Sequence, residues 1–240
     1  TEITINMAFD PNAPRKPFVA RGSRVERCSS CLMAAARCLC DVRPNIKGKA
    51  VFWLLTHHNE IYKPTNTGRL IVDTLQGCRV FKWGRVEPEP AFLEALNDPR
   101  YRPCIVFPSD EDYQQRMVRA DYLQQDDRIP AFIILDGTWR QARRMFRLSR
   151  YLDNIPAIEP SHTAESRYQL RQSSEPHHLC TAEIAALMLR EVNDTTSADV
   201  LDSYFDLFNL EYHASRVKRE QTSQITAVRE RLASLVQPLR

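Results

Sequence analysis

A single acid, Asp136, closes a wholly apolar run and is followed at once by arginines: FIILDGTWRQARRMFRLSR, Phe132 to Arg150. A positioned carboxylate can act as a general base or hold a cation, and the planar fork of arginine matches phosphate oxygens. At about 100° per helical residue, Arg140, Arg143, Arg144, Arg147 and Arg150 fall within an arc of about 120°, with Ala142, Met145 and Phe146 opposite. A charge run is usually a solvated face, but such a face normally mixes Glu with Lys in i,i+4 pairs. No acid occurs among residues 137 to 152. Five unpaired arginines repel one another and call for an anion, which points to bound phosphate. Asp136 ends a strand-like run, where parallel α/β sheets place their ligand sites. Gly137 admits close approach, Thr138 can cap the following helix, and Trp139 offers a flat face. On these residues alone, Asp136 as a turn residue and Trp139 as core stay open.

A second group with chemistry in it is Cys28, Cys31, Cys38 and Cys40, spaced C-x2-C-x6-C-x-C. Four thiols have the ligand count of a closed, structural zinc site. Neighbouring Arg24, Arg27, Arg37 and Arg43 favour thiolates. Free or redox-active thiols are the alternative. Cys78, Cys104 and Cys180 are scattered and read as small core residues, Cys180 less plainly so because it precedes a helix in a polar loop. His57–His58 and His177–His178 tempt a metal reading. Adjacent residues of an extended segment point to opposite faces, so solvent or core roles are expected for them.

These groups need a scaffold. The runs Ala50 to Thr56, Cys78 to Trp83, Cys104 to Phe107 and Ala131 to Leu135 read as strands, most of them continuously apolar as in a sheet covered on both faces. Between them Asn66 to Gln76, Pro88 to Asn97 and Asp110 to Gln124 carry helical periodicity. Ile155 to Ile158 is a candidate last strand. CTAEIAALMLREV then reads as a helix with Thr181 as its cap, followed by helical pattern from Ala198 through Lys218 and a helical or frayed tail. The fold class is therefore α/β with a largely parallel sheet and flanking helices. Three parts are expected: an N-terminal arm with the cysteine module (1–47), a catalytic domain (48–195) and a helical extension (196–240).

Composition is that of a globular protein, 43% apolar and 26% charged, with a net charge of +3. Arg15, Lys16, Arg21, Arg24 and Arg27 crowd the N-terminus, and the arginine helix forms a second basic cluster. Local basic patches on a near-neutral average suit a polyanion better than a membrane. No apolar run is long enough to span a bilayer, and the first residues lack the order of a signal peptide. A reducing cytoplasm is expected.

LDGTWRQAR resembles the Asp-x-Thr-Trp signature of the DTW-domain proteins, the tRNA-uridine aminocarboxypropyltransferases. IYKPTNTGRLI (Ile61 to Ile71) is similar to their P-[ST]-N-T-G-R-L segment, and VFPSDED (Val106 to Asp112) to their strand-loop after the second helix. YQLRQSSEPHHLCTAEIA (Tyr168 to Ala185) resembles their last motif, although Gln169 stands where an arginine is usual. The four-cysteine arm is similar to that of bacterial members. The resemblance covers most of residues 18 to 190.

The resemblance implies a fold like the SPOUT methyltransferases, with a C-terminal trefoil knot that binds S-adenosylmethionine. It implies transfer of the 3-amino-3-carboxypropyl group to N3 of a uridine in the variable loop of tRNA, releasing methylthioadenosine. The partner would be tRNA, with no membrane and no DNA, as monomer or dimer. By the same carry-over the donor meets Phe107, Pro108, Ser109, Asp136, Trp139, Leu179, Cys180, Thr181 and Glu183, with Asp136, Thr138 and Trp139 at the reacting end. Asp136 is either the base for N3–H or the anchor of the donor's ammonium group. Thr65 or Asn66 caps the helix after PTNTG, and Arg69 meets the donor carboxylate or RNA. Arg140, Arg143, Arg144 and Arg147 would hold phosphates, and Arg21, Arg24 and Arg27 would grip tRNA beside the zinc. Three other readings compete: a SPOUT-type RNA methyltransferase, a zinc-containing RNA-binding protein without catalysis, and a thiol redox protein.

Overall fold

A computed structural model describes residues 25–61, 63–161, 166–168, 170, 179–217 and 222–239. Its elements run β1 (Val51–Thr56), α1 (Gly68–Thr74), β2 (Arg79–Lys82), α2 (Pro90–Leu96), β3 (Tyr101–Val106), β4 (Ile129–Asp136), α3 (Trp139–Leu148), β5 (Ala157–Ile158), α4 (Thr181–Glu191), α5 (Thr195–Val217) and α6 (Thr222–Val236). The five strands form one sheet in the order β2-β1-β4-β3-β5, every pairing parallel. β1 and β4 lie at its centre and are covered on both faces. That is why VFWLLT is buried at every position and IPAFIILD from Ala131 onward. β2 is an edge strand that buries only Phe81 of its four residues and leaves Arg79 and Lys82 in solvent, charges that discourage further strand pairing.

Strand periodicity divides the core in two. Phe52, Leu54, Cys104, Val106, Phe132 and Ile134 face α1, α4 and α5, together with Met33 and Leu39 of the cysteine arm. Val51, Trp53, Leu55, Ile105, Ile133 and Leu135 face α2 and α3. α5 buries Tyr204, Phe205 and Phe208 in the first layer, so arm, sheet and C-terminal helices share one core. Burial pushes the thiols of Cys78 and Cys104 up to about 12, which makes them inert core residues as the sequence suggests.

Several boundaries differ from the sequence reading. Asp110 to Gln124 is not an α-helix but two 3-10 segments, Glu111–Arg116 and Ala120–Gln124. Tyr113 leaves helical geometry there (φ −137°) because its hydroxyl donates to the Pro108 carbonyl and its ring packs on Phe146. α3 ends at Leu148, so Arg150 lies past the arginine face and pairs loosely with Asp153 at 3.9 Å. The N-cap of α4 is Cys180 rather than Thr181, and that of α1 is Thr67 rather than Thr65 or Asn66. Among the described residues no helix is long and apolar enough to cross a membrane. Most of the chain between β5 and α4, where a knot would be threaded, falls outside the described residues.

Candidate active site

β4 delivers Asp136 to the carboxyl edge of the sheet, opposite Thr56 of β1, with its side chain on the α1–α4 face. The carboxylate is 3% exposed. Its two oxygens accept separate hydrogen bonds, Oδ2 from Asn66 Nδ2 at 2.7 Å and Oδ1 from Thr181 Oγ1 at 2.8 Å. Both of these donors are neutral, and together they fix the plane of the carboxylate. Asn66 is itself held by the Gly68 N–H, which donates to its Oδ1 at 2.8 Å. A Cβ at Gly68 would stand 3.0 Å from that oxygen and from Leu54 Cδ1, and 3.3 Å from Asp136 Oδ2. The glycine of TNTGR is thus set by close approach to the acid.

Cys180, Thr181 and Glu183 bring α4 to the same place. The Glu183 carboxylate is buried and accepts from the Cys180 N–H at 2.9 Å, Ser166 Oγ at 2.8 Å and the Arg167 N–H at 2.5 Å. It therefore builds the loop that presents Thr181. The Ala182 N–H donates to Thr67 Oγ1 at 3.3 Å, and Tyr168 OH donates to the Thr65 carbonyl, tying that loop to the start of α1. Burial raises the Cys180 thiol above its ordinary range, so it serves as a cap and not as a nucleophile.

The other face of the edge belongs to α3. Thr138 caps it through a capping box: the Gln141 N–H donates to Thr138 Oγ1 at 3.3 Å, and the Thr138 N–H donates to Gln141 Oε1 at 2.7 Å. Trp139, 39% exposed, stacks on Phe107 at 5.5 Å, and Phe107 lies flat on Phe146 at 4.2 Å. Pro108 and Ser109 are exposed beside them, and Glu159 accepts from both the N–H and the hydroxyl of Ser109, at 2.8 and 2.7 Å. Arg140, Arg143, Arg144 and Arg147 are all exposed, and among the described residues none of them makes an ion pair. The face that the sequence marks as asking for an anion remains unspent.

The other arginines differ. Arg69 is largely buried and donates to the carbonyls of Cys31 (2.5 Å), Lys63 (2.6 Å) and Asn66 (3.2 Å). Its guanidinium joins the cysteine arm to the loop that carries Asn66. Arg27 donates to the Leu32 carbonyl at 3.0 Å and lies over the Tyr212 ring. Arg21 and Arg24 lie outside the described residues.

The sulfurs of Cys28, Cys31, Cys38 and Cys40 all lie within 4.8 Å of one another. Cys28 and Cys40 are 3.7 Å apart and Cys31 and Cys38 3.6 Å, far too long for a disulfide. A tetrahedron of thiolates around zinc has edges of about 3.8 Å, so the donor set fits that ion. Backbone N–H groups at Cys31 and Ser30 hold the Cys28 thiol down at about 6, a ready first thiolate.

Sequence reasoning missed four contributors: Asn66 as the carboxylate's partner, Gln141, and the pair His57 and Trp83. β1 ends at Thr56, so His57 and His58 sit in a turn and not an extended segment. Their rings lie tilted against each other at 4.3 Å instead of pointing apart, and Trp83 stacks on His57 at 5.6 Å. Asn66 was visible as the asparagine two positions before the glycine of TNTGR, a spacing typical of an Asx turn.

A family model described as the DTW domain matches residues 25–213. No solved structure matches the chain.

Proposed function

Since this chain belongs to the DTW-domain family, which is consistent with a tRNA-modifying enzyme, we propose that it transfers the 3-amino-3-carboxypropyl group of S-adenosylmethionine to N3 of a tRNA uridine. The observation that carries the reading is a buried, oriented carboxylate at the carboxyl edge of a parallel sheet, three residues before a helix whose arginines Arg140, Arg143, Arg144 and Arg147 are exposed and, among the described residues, without an ion pair. The donor supplies an activated carbon: N3–Cγ forms, Cγ–S breaks with its electron pair going to sulfur, and methylthioadenosine leaves.

The protein must then aim that carbon and manage one proton. Phe107, Pro108, Ser109 and Trp139 on one side, with Leu179, Cys180 and Thr181 on the other, frame the donor site in this reading, and Glu183 fixes its wall. Two jobs fit Asp136. It can pair with the donor's ammonium group, or it can accept the proton of N3–H. Its depth favours the first, because a small donor reaches a carboxylate that is 3% exposed more readily than a nucleobase does, and the N3 proton then passes to solvent. Arg140, Arg143, Arg144 and Arg147 hold phosphates flanking an unstacked uridine. The cysteine tetrad holds a structural zinc, which suits a reducing compartment. We further read the parallel sheet, in the order β2-β1-β4-β3-β5, as SPOUT-like.

The test uses donor labelled separately on the methyl and on the aminocarboxypropyl chain, incubated with the protein and tRNA from cells lacking it. Chain label on uridine is the expected result. Methyl label alone would make the protein a methyltransferase, and no label would leave an RNA-binding protein.

A further inference from the structure

The capping box of α3 has an effect beyond the helix. Gln141 Oε1 is committed to the Thr138 N–H at 2.7 Å, so the NH2 end of the amide is the one that meets His57 Nδ1 at 3.2 Å. The Asn59 N–H also points at Nδ1, at 3.4 Å. Two donors on one ring nitrogen require a lone pair there, which puts the single proton of neutral imidazole on Nε2. Burial, His58 and Arg144 push the ring's pKa below its usual value, with Lys63 acting in the same sense and Glu60 opposing. The ring packs against His58 at 4.3 Å and stacks with Trp83 at 5.6 Å, which hinders reorientation. Gly137 is needed for this packing: a Cβ there would stand 3.0 Å from Gln141 Cβ and 3.1 Å from its Oε1.

Nε2–H has no partner among the described residues. The imidazole is half-buried at the sheet's carboxyl edge, and its backbone N–H donates to the Asp136 carbonyl at 2.9 Å. We propose that His57 is held as a neutral Nε2–H donor to a carbonyl oxygen of the substrate uracil, with Gln141 as its positioning residue. The proposal rests on the uridine-transfer reading. Phosphates are already provided for by the arginines. A neutral donor instead suits an oxygen that gains charge during reaction, as O2 or O4 of uracil does when N3 loses its proton.

The experiment combines ¹⁵N-histidine spectra of the full chain with single-turnover transfer by wild type, His57→Ala, His57→Gln and Gln141→Glu. The expected spectrum is a neutral ring protonated on Nε2, whose resonance shifts when tRNA binds. His57→Ala should lower the single-turnover rate about 10²-fold with tRNA Kd unchanged. His57→Gln, whose amide carries an N–H to nearly the same place, should recover much of the loss. Gln141→Glu keeps the capping box but exchanges a donor for an acceptor, so a proton should appear on Nδ1. A wild-type ring that is charged or protonated on Nδ1 at neutral pH would overturn the proposal, and so would an unchanged rate in His57→Ala. If wild type transfers no chain label, the transferase reading falls. The spectrum then still decides the tautomer, and a resonance indifferent to tRNA disposes of the donor role.

Discussion

The two faces of the sheet end at the same carboxyl edge but are finished in opposite ways. On the α1–α4 face the two buried carboxylates at that edge are held by several donors each. Asp136 is clamped by partners from residues 66 and 181, and Glu183 by three donors. On the α3 face the aromatic pile of Trp139, Phe107 and Phe146 supports a helix whose four arginines are left in solvent. In the proposed reaction a small, flexible donor loses rate if its reacting carbon is misplaced by an ångström, a demand that a closed and over-determined face would meet. An RNA backbone supplies its own spacing of charge, and exposed arginines can adapt to it.

The largest expected effect comes from Asp136→Asn, which keeps the shape and removes the charge. Chain transfer should fall at least about 10²-fold with tRNA Kd within twofold. A rise in donor KM would mark an ammonium anchor, and a fall in kcat relieved at high pH would mark a base. Loss of tRNA affinity instead would erase the division between the faces. The converse change is Arg143→Ala, Arg144→Ala and Arg147→Ala together. We expect tRNA affinity to fall and the slope of log K against log salt to flatten by about 2–3, with the rate at saturating tRNA nearly kept. An unaltered slope would return these arginines to a solvated face.

Asn66→Ala tests whether the acid's side is over-determined. It leaves one carboxylate oxygen short of a donor and should cost about 1–3 kcal/mol, read as a Tm lower by a few degrees. The smallest effect belongs to Thr138→Ala, about 1 kcal/mol by loss of a cap. Its sharper signature is a disturbed His57 resonance, since Gln141 would lose part of its anchor.

What the sequence disclosed follows from the range of the interactions involved. β1, β4, the cap at Thr138 and the arginine face are local patterns, and they stand within a residue or two of where periodicity and capping chemistry put them. The stretch from Asp110 to Gln124 misled because a helical spacing of apolar residues does not report Tyr113's tertiary hydroxyl bond. Arg27 and Arg69 look like Arg140 in sequence, yet their guanidinium groups hold backbone carbonyls. The union of Asn66, Asp136 and Thr181 is invisible for the same reason: it joins a loop, a strand end and a helix start that only the tertiary fold brings together.

Arg69 connects the cysteine arm to the carboxylate in few steps: the Cys31 carbonyl, the guanidinium, the Asn66 carbonyl, and the Asn66 amide on Asp136. A scaffold ion bound by the tetrad would thus act as a rheostat on transfer. Graded chelation is expected to lower the rate in step with metal released while the sheet stays folded by circular dichroism, and Arg69→Met should uncouple the two.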